Sequence, residues 1–148
     1  MQDVLIYGIQ NAFLCPKDNI LKEAFLVFIG GGLGSLARYG MSLISIRLSP
    51  WLLSPTIATF ASNVLASLVL IMVWIGIQQG KVDPALRFLL IVGFCGGFST
   101  FSTFSFETFQ LLRQGLFITA VLNILLSVAT CLLVVWLAYR SSEPTALG

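Results

Sequence analysis

The sequence predicts an all-α membrane protein with four transmembrane helices, the third of them broken. Three observations lead there. Of the 148 residues, 57% are hydrophobic and only 9% charged, whereas soluble domains carry roughly a quarter charged residues. Four apolar stretches, at residues 24–46, 51–77, 86–111 and 116–139, each approach or exceed the ~20 residues that cross a bilayer as helix. Within the third, the run GGFSTFSTF at 96–104 sets glycines and hydroxyl residues where a membrane helix can open.

The chain divides into an N-terminal extension, 1–23, a transmembrane domain, 24–140, and a C-terminal tail, 141–148. The extension holds a short apolar run, Val4 to Ile9, that ends before Cys15-Pro16-Lys17-Asp18. It is too short to span and lacks the basic start and cleavage site of a signal peptide. It is read as a terminal segment, with the membrane interface as one place for it.

The composition also excludes several function classes. Cys15, Cys95 and Cys131 fall in different segments with no CxxC pairing, and histidine is absent, which leaves no support for a disulfide framework, a zinc site or a histidine base. A net charge of +2 is too small and dispersed for nucleic acid. Alternating loops put Lys17, Lys22, Lys81, Arg87 and Arg140 on one side and Arg47 and Arg113, with Arg38 nearby, on the other. That division is compatible with either a modest orientation bias or insertion both ways round.

The first span clusters Gly30, Gly31, Gly32, Gly34 and Gly40, small residues that let helix backbones approach closely. Arg38 follows in the same run. It reads equally as an interfacial anchor beside Tyr39 or as a functional cation, because an arginine facing lipid near the centre is costly. In the second span Asn63 is the one strongly polar residue. An interhelical clasp worth about 1 kcal/mol is the plainer reading; the other presents its NH2 donors to a polar pathway that suits an anion.

In the third span Gly93, Gly96 and Gly97 precede Ser99, Thr100, Ser102, Thr103 and Ser105. A break there frees backbone carbonyls, which discontinuous helices use to coordinate cations such as sodium. Helical projection puts Phe101 and Phe104 on one face and Thr100, Thr103 and Glu107 on another, by the i, i+3, i+7 rule. In the fourth span Asn123, Ser127 and Cys131 recur every four residues. By itself that stripe reads as hydrogen-bonding glue, and with Asn63 and the third span it becomes a candidate track.

Many donors, few intramembrane charges and no evident nucleophile or acid–base pair argue for conduction or transport over catalysis. A phenyl ring has a positive edge, so rings on a path lined by Ser, Thr and Asn donors suit a small anion that has shed water. Phe98 is assigned to packing.

These residues resemble the Fluc-type fluoride channels, the CrcB family. The resemblance runs in order over about 26–140, through GGGLGSLARY at 30–39, TFASN ending at Asn63, and GFCGGFSTFSTFSFE at 93–107. It implies a four-helix subunit that pairs as an antiparallel, dual-topology homodimer in a prokaryotic inner membrane, with two pores that export fluoride passively. It implies a central structural sodium held by main-chain carbonyls of Gly96 and Ser99, where serine stands for the usual threonine. The pore phenylalanines correspond to Phe101 and Phe104. The polar track corresponds to Asn63, Ser102 and Thr103, with Asn123 and Ser127 from the last helix. Arg38 matches a vestibule arginine, and Glu107 the acidic residue of the third helix. A competing reading is a small proton-coupled exporter of organic cations, resting on Glu107 as its titrating carboxylate; a further one is a membrane scaffold without flux.

Overall fold

The computed structural model describes residues 20–48 and 55–142. Residues 1–19 of the N-terminal extension and 143–148 of the tail lie outside the described residues. Six elements follow in order: α1 (Ile20–Leu48), α2 (Pro55–Gln78), α3 (Phe88–Cys95), α4 (Gly96–Phe98), α5 (Phe101–Arg113) and α6 (Phe117–Ser142). Elements α3 to α5 form one 26-residue span interrupted once, so four spans are long and apolar enough to cross a membrane. The four-helix expectation and the position of the break both match.

Helix α1 begins at Ile20, four residues ahead of the apolar stretch that starts at 24. Its extra turn carries Glu23, and its last turn carries Arg47, each charge at the helix end whose dipole it complements. Two helices end on glycines in the left-handed region, Gly80 (φ 69) beyond α2 and Gly115 (φ 76) beyond α5. At the second, Gly115 N–H donates to Leu112 O and Leu116 N–H to Leu111 O, both at 3.0 Å, closing α5 so that the chain turns back into α6.

Segment α3 is wound as a π-helix, although nothing in FLLIVGFC signals that winding. It packs with α4 along α1, while α2 pairs with α6 and α5 lies against both α6 and α2. The α1 seam is backbone on backbone. A Cβ on Gly30 would meet Leu89 O, one on Gly34 would meet Phe94 O, and one on Gly97 would meet Gly31 O. A Cβ on Gly93 would lie 2.9 Å from both Gly30 Cα and Val27 O. Two Gly-x-x-x-Gly pairs, 30/34 and 93/97, thus interlock as small-residue seams do. Gly32 and Gly40 of the same cluster face open space.

Beside the seam a small core of Ala66, Cys95 and Phe98 is buried, with Met41, Val69 and Phe94 against it. Phe98 stacks on Phe94 with centroids 5.5 Å apart, the packing role expected of it. Large apolar side chains cover the outside, among them Phe28, Leu36, Ile118, Leu125 and Leu132. In water such a surface is untenable; it belongs against lipid or another subunit.

Candidate permeation site

The break occupies Ser99 and Thr100. Ser99 (φ −76, ψ 155) and Thr100 (φ −151, ψ 113) are both extended, and the helical ladder is rewired around them. Thr100 N–H, which an unbroken helix would direct to Gly96 O, donates instead to Asn63 Oδ1 of α2 at 2.8 Å. Thr103 N–H, which would otherwise reach Ser99 O, donates to Thr100 Oγ1 at 3.2 Å, an N-cap for α5. Gly96 O and Ser99 O therefore both lose their i+4 donors. The carbonyl that follows Gly96, Gly97 O, accepts from Arg38 Nε at 3.2 Å. Cys95 O accepts twice from Ser99, from its N–H at 2.9 Å and its Oγ at 2.8 Å.

In front of the break lies a cavity of about 330 Å³, walled by Asn63 and Ser67 of α2, Ser99 and Thr100, Phe101 and Phe104 of α5, and Ser127 and Cys131 of α6. The two rings stand 5.9 Å apart at 43°. Phe101 is 80% exposed, so the cavity opens on the flank of the subunit. Thr100 Oγ1 also donates to Thr103 Oγ1 at 3.0 Å and lies 3.2 Å from Ser102 Oγ, a tight hydroxyl cluster at the start of α5.

A second polar group continues along α5. Glu107 Oε1 accepts from Thr59 Oγ1 at 2.8 Å, while its Oε2 is buried with no hydrogen bond among the described residues. Thr108 Oγ1 accepts from Asn123 Nδ2 at 2.9 Å and donates to Phe104 O at 2.8 Å. Ser127 Oγ reaches Asn123 Oδ1 at 3.5 Å. These bonds tie α2, α5 and α6 together along one stripe.

Of the residues singled out in the sequence, Asn63, Phe101, Phe104 and Ser127 line the cavity together with Ser99. Ser102 and Thr103 belong to the adjoining hydroxyl cluster, and Asn123 sits one turn away in the second polar group. Glu107 also stands in that group rather than on the cavity wall. Gly96 is exposed and has no atom of the described residues near its missing side chain. The reading missed Thr59 and Ser67, which lie four residues to either side of Asn63 and so share its helix face. It also missed Thr108. Among the described residues no cluster of three His, Cys, Asp or Glu side chains occurs.

A protein-family model, described as CrcB-like protein, Camphor Resistance (CrcB), matches residues 25–139. The chain belongs to the CrcB family. The CrcB match spans all four helices and stops three residues short of the end of α6. A relative from Pyrococcus furiosus is 43% identical over 120 residues, covering 80% of this chain and 94% of its own. One from Azobacteroides pseudotrichonymphae is 39% identical over 125 residues, 84% of this chain and 98% of its own. One from Serratia proteamaculans is 37% identical over 121 residues, 81% and 93% respectively. All three are named fluoride-specific ion channel FluC, and none is named as an enzyme.

Proposed function

We propose that this chain is the subunit of a fluoride-selective channel that releases fluoride passively from the cytoplasm of a prokaryotic cell across its inner membrane. The observation that carries this is the cavity at the break, where two phenyl rings and a set of amide and hydroxyl groups share one wall. The names of the CrcB relatives point the same way.

Fluoride is small and strongly hydrated, so a path for it must replace its water with closely spaced donors while adding no deep trap. Asn63, Ser67, Ser99, Thr100 and Ser127 bring such groups to the cavity. The positive edges of Phe101 and Phe104 add weak attraction that a less polarising, larger chloride exploits poorly. Ser102, Thr103 and Asn123 extend the track from either side.

The cavity opens sideways, with Phe101 exposed, and Gly96 faces outward. Both features suit a second copy closing the path, and the weak bias of basic residues between the two sides is compatible with an antiparallel pair with two pores. Gly96 O and Ser99 O, deprived of their helical donors, are the right atoms for a hard cation such as sodium. Bound at the interface, sodium would supply fixed positive charge and tie the two copies together. Arg38 lies beside this region and Glu107 beside the track, as accessory groups.

The test is fluoride efflux from liposomes that contain the purified protein. The expected result is electrodiffusive flux that a membrane potential drives and a proton gradient leaves unchanged. Uphill transport driven by protons, with no passive conductance, would overturn the reading. The buried, unpaired Oε2 of Glu107 is what favours the alternative of a proton-coupled cation exporter, for which Glu107→Gln would abolish efflux.

A further inference from the structure

We infer that Arg38 is a positioning residue for the break: its guanidinium occupies Gly97 O and so determines which carbonyls remain free. The inference rests on the reading of Gly96 O and Ser99 O as a cation site. Four carbonyls near the break bear on it. Cys95 O is saturated by both donors of Ser99, and Gly97 O by Arg38 Nε. Gly96 O and Ser99 O are left without their helical donors. Of the two engaged carbonyls, the one whose donor comes from another helix is the one Arg38 holds.

The placement follows from α1. Arg38 lies four residues beyond Gly34 and eight beyond Gly30, so it continues the face that interlocks with Gly93 and Gly97. Close contact between Gly97 and Gly31 O leaves no room for a side chain there, which brings the Gly97 peptide within reach of the next turn of α1. Arg38 is half-buried. Ser42 Oγ donates to Arg38 O at 3.2 Å, adding a local bond beneath it. A cation buried at membrane depth needs an acceptor, and a carbonyl stranded at a helix break needs a donor; this bond meets both needs. A free Gly97 O would instead compete with its neighbours for a bound cation or turn the 97–98 peptide away.

Two measurements on the full-length protein test this. The first follows thermal unfolding in detergent against sodium concentration, with potassium making up ionic strength, for wild type, Arg38→Lys and Arg38→Met. Arg38→Met, which keeps an apolar stem out to the Nε position but removes the donor, should need about tenfold more sodium for half the stabilisation, the size expected for one charge-assisted bond. Arg38→Lys should recover part of it. Wild-type protein with no sodium response sinks the cation-site reading itself. A sodium response that is identical in wild type and Arg38→Met sinks the positioning role alone. The second needs no variant to fold: single carbonyls of wild-type protein are isotope-labelled by semisynthesis and followed by infrared spectroscopy. The Gly96 band should shift on adding sodium while the Gly97 band stays at a hydrogen-bonded frequency. A Gly97 band that moves with sodium as Gly96 does would overturn the inference.

Discussion

The two halves of the third span share one helix direction and almost nothing else. Before the break, residues 88–98 press glycine against glycine on α1, and Cys95 and Phe98 are buried. After it, α5 shows Phe101, Ser102 and Phe106 to its surroundings and bonds α2 through the Glu107 carboxylate and α6 through the Thr108 hydroxyl. One half holds the bundle with backbone, and the other equips a cavity with side chains. The break lets a single span do both, because it allows the ladder to end where packing ends.

Substitutions at five positions test that division, taken in order of decreasing effect. Gly97→Ala drives a methyl into Gly31 O, a backbone atom that cannot swing aside. It should cost about 3 kcal/mol, the upper range for overpacking, read as loss of stability in a denaturant titration of the detergent-solubilised protein. Asn63→Leu leaves Thr100 N–H without its acceptor and should cost about 2 kcal/mol in the same titration. Asn63→Asp, which keeps an acceptor oxygen, should recover most of that stability while flux remains impaired. Phe101→Ile and Phe104→Ile should each lower liposome efflux about tenfold, some 1.4 kcal/mol of barrier, and Phe101→Ile should leave subunit stability nearly unchanged because its ring is 80% exposed. Wild-type efflux in both would remove the rings from the path.

Gly96→Ala probes the outward face of the same helix. No atom lies within 4 Å of its added methyl and its backbone is right-handed helical, so the isolated subunit should be unchanged or stabilised by up to about 1 kcal/mol, alanine being the better helix former. Any effect should instead emerge in subunit pairing, measured by cross-linking yield or by subunit exchange between labelled copies. Equal subunit destabilisation by Gly96→Ala and Gly97→Ala would erase the distinction between an inward seam and an outward face.

The four spans were legible because hydrophobic length is a property of the segment alone, whereas partner choice is a property of two. GGFST marked the break because glycine and hydroxyl residues carry its chemistry locally. Hydropathy could not say that Gly30 and Gly34, rather than Gly32 and Gly40, would meet the third span; all lie in one cluster, and only packing separates them. The stripe Asn123, Ser127 and Cys131 is real, yet its upper member turns to Thr108 while the lower two face the cavity. Glu107 and Thr59 lie 48 residues apart, a pairing that no local spacing reveals. The π-helical winding of Phe88–Cys95 has no local signal at all.

The bond from Thr100 N–H to Asn63 also fixes an electrical sign. A peptide nitrogen there can only donate, so the amide atom facing it must be the oxygen. With its one acceptor oxygen already engaged at the break, the Asn63 side chain keeps both amide hydrogens to donate along the wall. An asparagine is ordinarily ambivalent, as ready to meet a cation as an anion. Here the interruption of a neighbouring helix tips that balance towards donation, and the cavity wall is polarised by a contact made behind it.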